Sequence, residues 1–179
     1  MEKTSIDETT LRAAYARARR HSPESQAIVV LQLGDDRSML ALGTNATPLQ
    51  MASLELGLQG LAHRLFPGGR LSEMAIEQAI AEVEDIVMPW HNKLPPSAQL
   101  FTDDASMAEL AQWAGMPDKA TSWLLTTEAV EHLFNRWVSL AQGRPASQDA
   151  LPTTGQFSAT LLVLREWLHH LGFLGITVL

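Results

Sequence analysis

The 179-residue chain contains no cysteine, which excludes disulfides, thiolate metal sites and cysteine nucleophiles outright. It has no run of about 18 apolar residues, so no membrane span is expected. Its N-terminus, MEKTSIDETT, has no apolar core after its charges and does not read as a secretory signal. A cytoplasmic protein is the expectation. Lysine and arginine number 13 against 20 aspartates and glutamates, a net charge of −7, which argues against bulk affinity for nucleic acid. The sequence has no Gly-x-x-x-x-Gly-Lys, no Gly-x-Gly-x-x-Gly and no Gly-x-Ser-x-Gly, so the P-loop, the dinucleotide fingerprint and the hydrolase nucleophile elbow are absent. No internal repeat or low-complexity segment occurs either.

What is present is an ordinary globular composition, 46% apolar and 18% charged, in a chain long enough to bury a substantial core. One domain over 1–179 is expected, with 1–21 as a loosely attached helix. That helix, over 5–20, carries Arg12, Arg17, Arg19 and Arg20, with Ser5 and Glu8 as a capping box. The stretch from Thr47 to Phe66 reads as the central helix. Thr47, Pro48 and Gln50 suit its first turn and Pro67-Gly68-Gly69 its stop. Gly57 and Gly60 inside it would each cost about 1 kcal/mol against alanine unless a neighbouring backbone comes close.

Around that helix, Gln26–Leu33 and Ser38–Gly43 flank Gly34-Asp35-Asp36-Arg37 and predict a β-hairpin whose first strand is covered on both faces. Ser72–Met88 is amphipathic, with an acidic face carrying Glu73, Glu77, Glu82, Glu84 and Asp85. The arginines of the first helix are the chain's own supply of cations for that face, and docking there stands beside the alternative of a solvated face. Ala98–Thr102 predicts a strand, 106–114 a helix, Ser122–Thr126 a strand and Glu128–Gln142 a helix. Gly143–Gly155 reads as a long loop, Gln156–Leu171 as the last helix and Leu174–Leu179 as a terminal strand. In the last helix Leu162 projects among polar residues, and the apolar arc around Trp167 can serve a partner subunit.

Three groups of residues have the right chemistry for a site. Asp103 and Asp104 follow a strand, where α/β proteins place acid/base or cation-binding carboxylates, or where they simply favour a helix N-terminus. Trp90, in a proline-bounded loop beside His91, suits a ligand pocket or an interface, or folds back as a lid on the core. Glu166 with His169 and His170 presents a carboxylate and imidazoles on adjacent helical turns, with Glu128 and His132 as a facing pair, but a di-iron bundle needs a second Glu-x-x-His that the chain lacks. Neither metal nor cofactor is assigned.

These features predict a mostly helical α+β domain with a small sheet, made of the hairpin plus one or two short strands. No complete catalytic set can be assembled. The favoured function is therefore a non-enzymatic interaction or assembly protein, self-associating or binding a protein partner through helix surfaces. The alternative is a small-molecule-binding protein or enzyme with a cleft near Asp103 and Trp90, for which the ligand-binding residues are Asp103, Asp104, Trp90 and His91.

Overall fold

A computed structural model describes residues 6–116, 122–145 and 149–179. The hairpin forms where the β-branched run predicts it, as β1 (Ile28–Gln32) and β2 (Ser38–Gly43), and β1 is buried throughout. β3 (Gln50–Leu54) pairs antiparallel with β2 in the register Leu40 to Ala52. β4 (Gln99–Thr102) lies parallel to β1, β6 (Gly175–Val178) parallel to β4, and β5 (Trp123–Thr126) antiparallel to β6. All six join one sheet in the order β3-β2-β1-β4-β6-β5. The expectation of a small sheet is thus corrected to a six-stranded mixed sheet with six α-helices among the described residues. Most of the strands are visible locally, but their assembly into one sheet depends on parallel pairing between segments about 70 residues apart, which no local pattern carries.

The central-helix reading of Thr47–Phe66 is also corrected. Its first half is β3 and only Leu58–Leu65 is helical, as α2. Gly57 is the hinge and the N-cap, and a Cβ there would stand 2.4 Å from the Asp36 carbonyl oxygen. The glycine therefore meets a close backbone, in the way its cost within a helix demanded, but at a strand-to-helix junction. Leu58 N–H donates to Gly34 O at 3.0 Å and Gln59 N–H to Asp35 O at 3.1 Å, so the β1–β2 turn itself caps α2.

The helix at the centre is instead α6 (Gly155–Leu171). Every residue from Phe157 to Leu164 is buried, as are Glu166, Trp167 and Leu168. It packs against α2, α3 (Glu73–Val87), α4 (Ala105–Trp113) and α5 (Thr127–Ala141) on one face of the sheet. A helix apolar on most of its circumference has to be covered on every side. Leu162, expected among polar residues, is fully buried, and the arc offered for self-association lies inside the molecule.

α1 (Glu8–Arg20) covers the other face, burying Leu11, Ala14, Tyr15 and Ala18 against β1, β2 and β4. Its N-cap is Asp7, which accepts from Thr10 N–H at 2.7 Å, and Ser5 of the expected capping box lies outside the described residues. The sheet separates α1 from the acidic helix α3, so the two do not dock within one subunit. Arg17 pairs with Asp103, and Arg19 donates to the carbonyls of Gln26 and Pro23. The partners of the acidic residues of α3 come from its own side of the sheet: Arg64 donates to Glu82 at 2.6 Å, and the His170 imidazole lies 2.8 Å from Glu84. Among the described residues no helix is long and apolar enough to cross a membrane. Leu58→Ala and Leu162→Ala are each expected to destabilise the chain by about 2–5 kcal/mol, measured as a lowered urea midpoint at unchanged slope.

Candidate functional site

The carboxyl ends of the parallel strands β1, β4 and β6 share one edge of the sheet. At that edge the chain leaves β1 toward β2 and leaves β4 toward α4, in opposite directions along the sheet. Such a divergence opens a crevice, and α/β sheets bind ligands there. Three helices start on this edge: α2 at Gly57, α4 at Asp104 and α6 at Thr154. Their dipoles put partial positive charge at the crevice.

Asp103 and Asp104 sit at this edge, as a strand-end location requires. Asp103 Oδ1 accepts from Gln32 Nε2 at 2.9 Å, and its other oxygen pairs with Arg17. Asp104 Oδ2 accepts from Leu33 N–H at 2.7 Å, and Thr102 Oγ1 accepts from Asp104 N–H at 3.2 Å. Together the two carboxylates fasten the end of β1 to the end of β4, which fixes the turn that follows β1. Burial pushes the Asp104 carboxyl up to about 6, against the opposing pull of the Leu33 amide and the Thr102 hydroxyl.

The turn borders a cleft of about 620 Å³ lined by Asp35, Asp36, Glu55, Gln59, His63, Arg64 and Glu82. Through Gln59 and His63 the cleft continues into a second space of about 440 Å³ beside Gly68, Gly69 and Thr153–Gln156. Gln156 Nε2 reaches Asp35 Oδ1 at 3.5 Å across the start of α6. The result is a long groove with carboxylates at one end and a helix N-terminus at the other.

Trp90 and His91 are elsewhere. Trp90 is buried in a 3-10 turn, Met88–Trp90, folded back on the core with the Lys93 ammonium 4.9 Å from its ring centre. His91 Nδ1 lies 2.9 Å from the His170 carbonyl oxygen. Both stand near the start of β4, and the length of that strand separates them from Asp103, so no shared cleft forms. Glu166, His169 and His170 do come together with partners, but those are Glu84 and Glu131 rather than Glu128 and His132. The groove residues Asp35, Asp36, Glu55, Gln59, His63 and Arg64 escaped the sequence reading. Their one local signal was the pair of acids in a turn after a buried strand.

No family model matches the chain, and a comparison with curated proteins finds no match. Solved structures do match. A type II variant of the Aquifex aeolicus Ppx/GppA phosphatase superimposes with a TM-score of 0.76 at 16% identity, over 96% of this chain and 59% of that one. Another structure of the Aquifex aeolicus Ppx/GppA family member gives 0.74 at 14% identity, over 96% of this chain and 57% of that one. An exopolyphosphatase from Cytophaga hutchinsonii gives 0.70 at 16% identity, over 93% and 59%. The chain shares the fold of these structures and spans about three fifths of their length. These likenesses overturn the expectation of a non-enzymatic interaction or assembly protein, and α6, the helix chosen for assembly, has its apolar arc inside the core.

The raised Asp104 carboxyl sets a sign for pH dependence. The folded chain keeps a proton that the unfolded chain releases near 3.8, so stability falls as pH rises from about 4 through 6 and is flat above. Asp104→Asn keeps an acceptor for Leu33 N–H. It is expected to flatten that slope and to raise stability at pH 7 by up to about 3 kcal/mol, read from urea midpoints between pH 4 and 8.

Proposed function

We propose that this chain is the ligand-binding lobe of a cytoplasmic enzyme acting on a phosphate-containing small molecule, held in the groove at the carboxyl edge of the sheet. The observation that carries the reading is the coincidence of a fold shared with Ppx/GppA phosphatases and exopolyphosphatases with an open groove beside the β1–β2 turn, at the carboxyl edge of the sheet. The groove's length suits an extended ligand.

Charge decides how such a ligand binds. Asp35, Asp36, Glu55 and Glu82 face the cleft against Arg64 and His63, and Arg64 is engaged by Glu82. A bare polyanion is repelled by this surface. Carboxylate oxygens are the hard donors that magnesium takes, usually alongside substrate phosphates. Asp35, Asp36 and Glu55 do not converge on one point as a ready-made ligand set, so the fit is to a divalent cation that arrives with the substrate phosphates and takes one or two of these carboxylates, and it would neutralise phosphate oxygens and polarise the phosphorus. The chain's own residues do the rest. The starts of α2 and α6 favour negative charge along the groove. Gln59 offers amide donors and with His63 borders the shared middle section, while Arg64 stands in the first cleft. Asp103 and Asp104 are positioning residues, holding the β1–β2 turn through Gln32 and Leu33.

Calorimetric titration with tripolyphosphate tests this, because it reads binding without requiring turnover. Binding is expected in the presence of magnesium and not in its absence. Asp36→Asn and Glu55→Gln are expected to weaken it at least about tenfold, 1.4 kcal/mol each. Absence of binding with magnesium, or binding that both substitutions leave unchanged, overturns the proposal.

A further inference from the structure

At the end of the molecule away from the groove, the last turns of α3 and α6 lie side by side, and three side chains meet there. The His170 imidazole places Nε2 2.8 Å from Glu84 Oε1 and 3.0 Å from Glu166 Oε2. Their ligating atoms all fall within 4.8 Å of one another. We infer that Glu84, Glu166 and His170 form a binding site for a divalent first-row transition metal of the zinc class.

Hydrogen bonding within the trio is incomplete. Nε2 carries at most one proton, and the contact with Glu84 uses it in good geometry. Glu166 Oε2 is then left with no donor although its residue is fully buried and the oxygen points into the cluster. A buried carboxylate oxygen without a partner is costly. A cation in place of the proton satisfies all three atoms at once.

Charge leads to the same conclusion. Glu84, Glu166 and the adjoining Glu131 bring three carboxylates, and among the described residues Arg165 is their one guanidinium partner, donating to Glu166 Oε1 at 2.9 Å and to Glu131 Oε1 at 3.0 Å. With neutral imidazoles two negative charges remain, which a divalent ion balances. Both helices also end here, and their C-terminal dipoles add partial negative charge; the last turn of α3 holds no basic residue.

The donors identify the class of metal. One imidazole nitrogen with two carboxylate oxygens suits zinc and its neighbours rather than calcium or magnesium. Three protein ligands leave a position for water, and Glu84, 39% exposed, gives the ion a way in from solvent. Arg165 supports the site from outside, fixing the Glu166 carboxylate in the manner of an outer-shell partner.

Equilibrium dialysis of the full chain against zinc, with elemental analysis, tests the site. One zinc per chain is expected, together with a higher melting temperature that chelator reverses. Glu84→Gln changes a partly exposed residue and should fold, so its loss of at least about tenfold in zinc affinity is the central expectation. His170→Gln should do the same, while Glu82→Gln, on the same helix, should not. No zinc bound to the full chain overturns the inference in favour of an imidazolium shared by two carboxylates. Zinc bound with unchanged affinity by both Glu84→Gln and His170→Gln overturns it in favour of histidines elsewhere on the surface.

Discussion

Burial of α6 is the constraint on which the rest of the structure depends. Eight consecutive residues, Phe157–Leu164, have no exposed face, so the helix can exist only inside a shell. α2, α3, α4 and α5 supply that shell on one side of the sheet. Each buried apolar side chain of this size contributes about 1.5–3 kcal/mol, and the two polar residues within that run, Ser158 and Thr160, are each matched. Ser158 Oγ accepts from Trp137 Nε1 at 3.1 Å, and Thr160 Oγ1 returns its proton to Gln156 O at 2.9 Å. Phe66 meets Trp137 edge-on at 5.6 Å, which ties the end of α2 to the same layer.

The ends of α6 then determine where chemistry can occur. Its N-terminus, capped by Thr154, opens onto the groove that also receives the start of α2. Its C-terminus carries Glu166 and His170 to the last turn of α3. One buried helix thus presents its positive end to the groove and its negative end to the Glu84, Glu166 and His170 cluster. The polarity of the peptide dipole accounts for both, and the two sites lie at opposite edges of the sheet.

The β1–β2 turn connects fold to site. Its carbonyls cap α2, its backbone excludes any side chain at Gly57, and Asp104 holds its first amide. Asp104 is retained there although burial of its charge disfavours the folded state at neutral pH. A carboxyl raised by burial is the kind of local cost that functional sites keep.

The amino-acid sequence by itself determined the elements whose pattern is local. The hairpin over Gln26–Gly43 was legible because a β-branched run, a four-residue polar turn and a second apolar run are adjacent in the chain. Helices α3 and α5 were legible because side chains three and four apart share a face, and the strand-end position of Asp103 and Asp104 followed from the same reading. Tertiary structure alone decided the remainder. Met51–Leu54 is a strand because β2 offers it an edge, against a leucine-rich pattern that also fits a helix, and Gly57 is required by a carbonyl 21 residues earlier. Trp90 folded inward, and the groove took in Glu55 and Arg64, because contacts between distant segments outweigh local propensity. Glu166 and His170 were legible together because they stand four apart on one helix, but Glu84 was not, because it comes from a different helix and no spacing in sequence leads to it.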